Sequence, residues 1–160
     1  LAAVHGYAVG GGLELVLGCD IVLAADNAQF GLPEVRRGLM ADGAGIHRLV
    51  RRVPYSVAMG MVLTGQFIGA EEAHRVGLVN EVTSGEELRA ATERWVAQIM
   101  ECAPLSLRAS KEAALRGLEL PLWEAVGQSF PMAEKLYASE DFIAGPEAFA
   151  EKRKPEWKGQ

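Results

Sequence analysis

Short apolar runs, separated by glycines and turn residues, fill the first half of the chain and predict alternating strands and short helices. The run 21–25 is continuously apolar, which is expected of a strand buried on both faces. Further strands are predicted over residues 1–4, 29–31 and 79–82, and over 4–9 around a His-Gly interruption. Pro33 has no amide donor, so the strand before it must end there or lie at a sheet edge.

Helical spacing appears between these runs. One helix is expected over residues 13–17, after three consecutive glycines. A second begins at Gly45 and stops at Pro54, which then opens a third that ends at Gly65. A short helix over residues 70–75 closes at Gly77.

The second half is helical in pattern throughout. Ser84 and Glu87 form a capping box before a helix, and Pro104 opens another. Pro121 opens a third helix, whose apolar positions continue at helical spacing: Leu122, Val126, Phe130, Ala133 and Tyr137. Ser139 is placed to cap a fourth, and Trp95 and Trp123 are expected to pack in the interior. The prediction is an α/β core over residues 1–83 and an all-helical assembly region over residues 84–160.

Composition narrows the class of protein. The chain has 160 residues with 49% hydrophobic residues, which suits one globular domain. No apolar run approaches the ~20 residues that span a bilayer, so no membrane association is expected. The net charge of −5 disfavours nucleic-acid binding. Cys19 and Cys102 form no metal or disulfide motif, and no secretory signal is visible, so we predict a reducing cytoplasm.

The triple glycine is the first candidate for chemistry. Helix-opening N–H groups lack intrahelical partners and lie at the positive end of the helix dipole, where they can hold an anion. Phosphate-loop and dinucleotide patterns fail in detail, because Gly12 stands where a phosphate-loop lysine would be and no G-x-G-x-x-G occurs. An oxyanion site and a tight turn needed only for packing remain equally good interpretations at this point.

Two glutamates are the next candidates. Glu14 lies in the first helical turn between apolar neighbours, so we expect it to be partly buried and to have a partner or a function. Glu34 follows Pro33 and, taken alone, is an ordinary loop acid. Together they make a general acid/base pair plausible. The chain has no G-x-S-x-G or H-E-x-x-H motif, and its three histidines are scattered, so no metal site is predicted.

Several motifs in order resemble the enoyl-CoA hydratase/isomerase (crotonase) family. They lie at residues 5–14 (HGYAVGGGLE), 19–21 (CDI), 28–34 (AQFGLPE), 63–65 (LTG), 70–73 (AEEA), 77–79 (GLV) and 147–155 (EAFAEKRKP). The resemblance covers essentially the whole chain and is specific for the family, though not for the reaction.

The resemblance implies a crotonase-like spiral of β-β-α units followed by a helical oligomerisation region that builds homotrimers or hexamers, as dimers of trimers. It implies an acyl-CoA thioester as substrate and no metal or redox cofactor. Gly11 matches the oxyanion-hole donor, and Glu14 and Glu34 match the two hydratase glutamates. Substrate contacts are implied for Tyr7, Val9, Gly10, Pro33, Asp42, Phe149 and Lys152.

Both acids are present, so the resemblance implies a lyase that adds or removes water across the 2,3-bond. Asp42 and three C-terminal segments, at 139–141 (SED), 145–146 (GP) and 155–159 (PEWKG), are similar to the carnitinyl-CoA dehydratase subgroup. The alternatives are another crotonase reaction (isomerase, thioester hydrolase or dehalogenase) or a truncated, non-catalytic chain.

The chain opens at Leu1, inside a predicted strand, so we expect an N-terminal part to be missing. Family members carry there a second oxyanion N–H and much of the CoA surface. We therefore predict that this chain alone is nearly inactive, since one such donor is worth roughly 10²–10³-fold.

Overall fold

The computed structural model describes residues 1–160, which divide into two compact units, Leu1–Trp95 and Val96–Gln160. The boundary predicted between residues 83 and 84 lies 12 residues before the division at Trp95 and Val96. None of the helices combines the length and apolarity needed to cross a membrane.

The first unit alternates short strands with helices. Its elements are β1 (Ala2–Val4), β2 (Tyr7–Val9), α1 (Gly11–Leu17), β3 (Val22–Ala25), β4 (Gln29–Gly31), a 3₁₀ helix (Pro33–Arg37), α2 (Gly45–Arg52), α3 (Tyr55–Thr64), β5 (Phe67–Gly69), α4 (Ala70–Arg75) and β6 (Glu81–Thr83). Helix α5 (Leu88–Met100) follows and contains the boundary with the second unit.

The strands form two three-stranded sheets. One has the order β1-β3-β6, all parallel, and the other has the order β2-β4-β5, in which β2 and β4 are parallel and β5 is antiparallel. The two strands of each successive pair, β1/β2, β3/β4 and β5/β6, therefore belong to different sheets. This is the arrangement that a spiral of β-β-α units produces, and it confirms the predicted fold class.

Strand β3 is buried along its whole length, as its apolar run predicts. Because side chains alternate across a strand, Val22 and Ala24 enter the main core, whereas Leu23 and Ala25 pack with Leu88 of α5 in a smaller one. Trp95 packs at the edge of that smaller core, in agreement with its predicted role.

The second unit contains four further helices: α6 (Pro104–Gly117), α7 (Leu122–Gly127), α8 (Pro131–Tyr137) and α9 (Glu140–Ala150). Ser139 caps α9 by accepting the amide N–H of Phe142 at 3.2 Å, as predicted. The single helix predicted from Pro121 to Tyr137 is wrong. Pro131 disfavours the helical conformation for the residue before it, and Phe130 is extended at φ −109°, ψ 144°.

The C-terminal segment after α9 is irregular but anchored within its unit. The Asp141 carboxylate is buried and accepts the amide N–H groups of Lys158 and Gly159 at 2.8 and 2.9 Å. The indole of Trp157 donates to the Glu101 carbonyl oxygen at 2.8 Å. A side chain at Gly145 would lie 3.3 Å from the Trp157 ring. These contacts give the segments SED, GP and PEWKG a common structural role.

Candidate active site

The triple glycine bends the chain from β2 into α1. The Gly10 amide N–H donates to the Gly31 carbonyl oxygen at 2.9 Å, which ties the turn to β4. Gly10 has a φ of +57°, a left-handed conformation that favours glycine. Gly11 and Gly12 follow as the exposed first residues of α1, and a Cβ at either would meet no atom within 4 Å. The N-terminus of α1 therefore faces open space, with Gly11 at its first position.

Glu14 is half-buried on α1, as predicted, between the buried side chains of Leu13 and Val16. Leu15 is 78% exposed, so the helix is less enclosed than its apolar sequence suggested. The carboxylate of Glu14 accepts the amide N–H of Gly45 at 2.9 Å. Gly45 is the first residue of α2, so the negative charge of Glu14 lies at the positive end of that helix.

Gly43 and Gly45 allow the Glu14 carboxylate to approach the start of α2 this closely. A Cβ at Gly43 would lie 2.3 Å from one Glu14 oxygen, and a Cβ at Gly45 would lie 2.8 Å from the other. Between them, Ala44 is left-handed at φ +75°, a conformation that costs a non-glycine residue about 1–2 kcal/mol. By sequence pattern, Gly45 is only a helix start, and Gly43 was not identified. The Gly-x-Gly spacing before α2 was the available signal for a close backbone approach.

Glu34 is the second residue of the 3₁₀ helix and is half-buried. One of its oxygens, Oε1, would be 3.0 Å from a Cβ at Gly10, so the carboxylate lies directly against the triple glycine. The other oxygen, Oε2, is buried and has no hydrogen-bond partner. A buried carboxylate oxygen without a donor is costly, and such groups concentrate where a ligand or water supplies the missing bond.

The structure thus places Glu34 against the turn that opens the helix carrying Gly11 and Glu14. Glu34 reaches the glycine turn from the 3₁₀ helix, and Gly11 and Glu14 belong to the helix that this turn opens. Glu34, which is ordinary by sequence pattern, has the more unusual environment of the two acids.

The predicted substrate-contact residues of the first unit lie on several of its elements, with Gly10 in the turn itself. Val9 pairs with Gly31 across β2 and β4, and Pro33 directly precedes Glu34. Tyr7 is 73% exposed and makes an edge-on ring contact with Phe67, at 6.3 Å between centroids. Asp42 is exposed on the loop before Gly43.

Phe149 and Lys152 lie in the second unit, at and just after the end of α9. Phe149 is 86% exposed, and Lys152 is left-handed at φ +56° in the following turn. Across the chain, no group of three or more histidine, cysteine or acidic side chains is arranged to hold a metal ion.

Comparison with known proteins gives a consistent result. Residues 1–160 match the family described as Enoyl-CoA hydratase/isomerase. Carnitinyl-CoA dehydratases of Escherichia coli K12 and Citrobacter koseri are 44% and 43% identical to the chain over its whole length. Each alignment covers 63% of the relative, so the chain spans less than two thirds of these proteins.

Solved structures agree with the sequence relatives. The enoyl-CoA hydratase of Mycobacterium tuberculosis H37Rv is 37% identical and superposes with a TM-score of 0.94 over 99% of this chain and 63% of its own. The enoyl-CoA hydratase of Mycobacterium marinum is 39% identical, with a TM-score of 0.93 over the same shares.

Proposed function

Because the chain belongs to the enoyl-CoA hydratase/isomerase family, we propose that it adds or removes water across the 2,3-bond of an acyl-CoA thioester, with Glu14 and Glu34 as its acid/base pair. The observation that carries this proposal is the placement of the Glu34 carboxylate. It lies against the glycine turn with one buried oxygen unpaired. That oxygen is a free acceptor for a water molecule or for the reacting group.

The chemistry follows from the arrangement of charges. The Gly11 N–H, at the positive end of α1, binds the thioester oxygen and stabilises the negative charge that develops as the enolate forms. The two glutamates hold and deprotonate water for attack at Cβ and deliver a proton to Cα. Glu14 has one oxygen engaged by the Gly45 N–H, which fixes its orientation while the other oxygen stays available.

The names of the relatives support this type of reaction. They are called carnitinyl-CoA dehydratase and enoyl-CoA hydratase, and both names describe the removal or addition of water. The reaction as proposed needs no metal or redox cofactor, because proton transfer and oxyanion binding are supplied by side chains and backbone. The cytoplasmic location predicted from the cysteine pattern is kept as part of the proposal.

The second unit is proposed to assemble homotrimers, or hexamers as dimers of trimers. Its surface carries large apolar side chains that are strongly exposed in the single chain: Leu118, Leu122, Trp123 and Val126, between 69% and 82%. Trp123 was expected to pack, and within one chain it does not. An exposed apolar surface of this kind marks an interaction site, and a second copy of the chain is the occupant we propose.

The proposal can be tested by measuring the hydration of a short 2-enoyl-CoA, which is monitored through the loss of enoyl-thioester absorbance. It should be measured in the 160-residue chain and in a chimera in which this chain replaces the matching segment of the E. coli carnitinyl-CoA dehydratase. We expect little turnover from the chain alone and robust turnover from the chimera. Glu14→Gln and Glu34→Gln should each lower kcat by about 10²–10⁴-fold.

Three outcomes would each contradict one part of this account. Near-unchanged rates in both glutamate variants would remove the acid/base assignment. Robust turnover by the chain alone would refute the predicted inactivity. A chimera that assembles normally but isomerises or hydrolyses acyl-CoA thioesters, as judged by product analysis, would replace hydration with that reaction.

A further inference from the structure

Glu34 lies on an element that has little to hold it in place. The 3₁₀ helix Pro33–Arg37 has five residues, none of them fully buried, and no side chain caps its N-terminus. The Glu34 Oε2 atom has no hydrogen-bond partner, so it does not orient the side chain. The position of the proposed acid must therefore be set by contacts that the rest of this short helix makes.

Arg36 makes such a contact. Its Nε–H donates to the carbonyl oxygen of Thr64 at 2.7 Å. Thr64 is the last residue of α3, where the helix carbonyls lack intrahelical partners and carry partial negative charge. A guanidinium is favoured at that end. The side chain of Arg36 thus joins the 3₁₀ helix to the end of α3.

Gly65 makes this contact possible from the other side. It ends α3 in the left-handed conformation, at φ +64°. A Cβ at Gly65 would lie 3.1 Å from Cγ and Nε of Arg36 and 3.1 Å from the Cα of Pro33. The 3₁₀ helix therefore touches Gly65 at two points, one residue before Glu34 and two residues after it.

From this geometry we propose that Arg36, seated against Gly65, is a positioning residue that sets where the Glu34 carboxylate lies over the glycine turn. The inference rests on the proposed function of Glu34. Glu34 Oε1 is 3.0 Å from the position of a Gly10 Cβ, so a shift of the 3₁₀ helix by a few tenths of an ångström changes its approach to the reacting atoms. Catalysis is sensitive to such displacement, with losses of about 10²-fold for 1 Å.

Arg36→Ala tests the idea against Arg37→Ala, which removes the same charge from the next, exposed position. In the chimera, Arg36→Ala should lower kcat by roughly 10-fold with little change in KM, whereas Arg37→Ala should leave both near wild type. Gly65→Ala, which pushes on the same helix, should also lower kcat. In a Glu34→Gln background, Arg36→Ala should have no further effect, because residues that act through one another are not additive.

A second measurement does not depend on turnover. The Leu39 amide donates to the Glu34 carbonyl oxygen at 3.1 Å, so its hydrogen exchange reports the order of the 3₁₀ helix. Exchange at Leu39 should be faster in Arg36→Ala than in Arg37→Ala. Equal exchange and equal kcat in the two variants would overturn the positioning role. Unequal exchange in a protein without hydratase activity would leave the positioning intact and reject the proposed function instead.

Discussion

At the residue scale, the environment of Glu14 combines local burial with a contact to a residue that is distant in sequence. The apolar residues around it predict partial burial, and the structure confirms that prediction. Its hydrogen-bond donor, the Gly45 amide, is 31 positions further along the chain. No local pattern connects the two residues, because the contact requires α1 and α2 to pack together.

Gly43→Ala tests this environment. The new methyl group would overlap a Glu14 oxygen, from which its Cβ would be 2.3 Å away, and the carboxylate must move because it is the free end of a flexible side chain. We expect kcat in the chimera to fall by about 10–100-fold, while the melting temperature changes little.

Gly85→Ala is the matched control, since its Cβ would meet no atom within 4 Å. It should leave hydration unchanged. A wild-type kcat in Gly43→Ala would show that catalysis tolerates displacement of the Glu14 carboxylate. That result would contradict the acid/base assignment of Glu14.

At the element scale, β6 and α5 are joined by a small polar cluster at the edge of the second core. The Glu81 carboxylate accepts the indole N–H of Trp95 at 2.7 Å and also pairs with Arg94. The hydrogen bond from Trp95, followed by that from Arg94, holds the pKa of Glu81 below its ordinary 4.5, against an opposing effect of burial. The cluster connects the three-residue strand β6 to the helix after it.

The pH dependence of this link follows from the lowered pKa. Protonation of Glu81 is harder in the folded state than in the unfolded state, so its contribution is complete above pH 4.5 and is lost as the pH falls through the lower folded value. At pH 7, Glu81→Gln should reduce the free energy of unfolding in urea by about 1 kcal/mol. The difference from wild type should shrink as the pH is lowered below 4.5.

Glu93→Gln is the control for this prediction. Glu93 pairs with Arg89 on the exposed face of α5, where 64% and 89% of the two side chains are accessible, and such pairs contribute little. Its variant should match wild type across the same pH series. A Glu81→Gln difference that stays undiminished as the pH falls, for as long as both proteins remain folded, would contradict the linkage.

At the scale of the whole molecule, the distribution of exposed apolar surface is the feature that the single chain leaves unexplained. Four strongly exposed apolar side chains of the second unit lie together on and just before α7, including Trp123 at 82%. The helical pattern identified these residues as apolar but placed them in an interior. The break before Pro131 divides the predicted helix into two, so its apolar positions do not form one buried face. Of those positions, only Phe130 is buried.

Assembly can be tested with two equally exposed leucines. Leu122, on α7, is 69% exposed, and Leu63, on α3, is 68% exposed. If the helical unit builds the oligomer, Leu122→Asp should weaken self-association by at least about 10-fold in analytical ultracentrifugation, because a buried unpaired charge is costly at an interface. Leu63→Asp should sediment as wild type does. Equal behaviour of the two variants would contradict assembly through the second unit.

The amino-acid sequence by itself determined the local structure of this protein. Chain-local rules specify the two-sided burial of β3, the helix ends at Gly65 and Ser139, and the partial burial of Glu14, because each depends on neighbouring residues. The same rules failed where two local signals competed, as at Pro131, which interrupts an otherwise regular apolar spacing. The family motifs identified Glu34, whose local pattern is that of an ordinary loop acid.

Only the tertiary structure decided which residues meet. It placed Glu34 against Gly10, the Gly45 amide on Glu14, Arg36 on the end of α3, and Asp141 on the C-terminal segment. These contacts join residues that are distant in sequence, and they depend on how closely two backbones approach. Hydrophobic periodicity records which face of an element is buried, but not which atoms of another element lie against it.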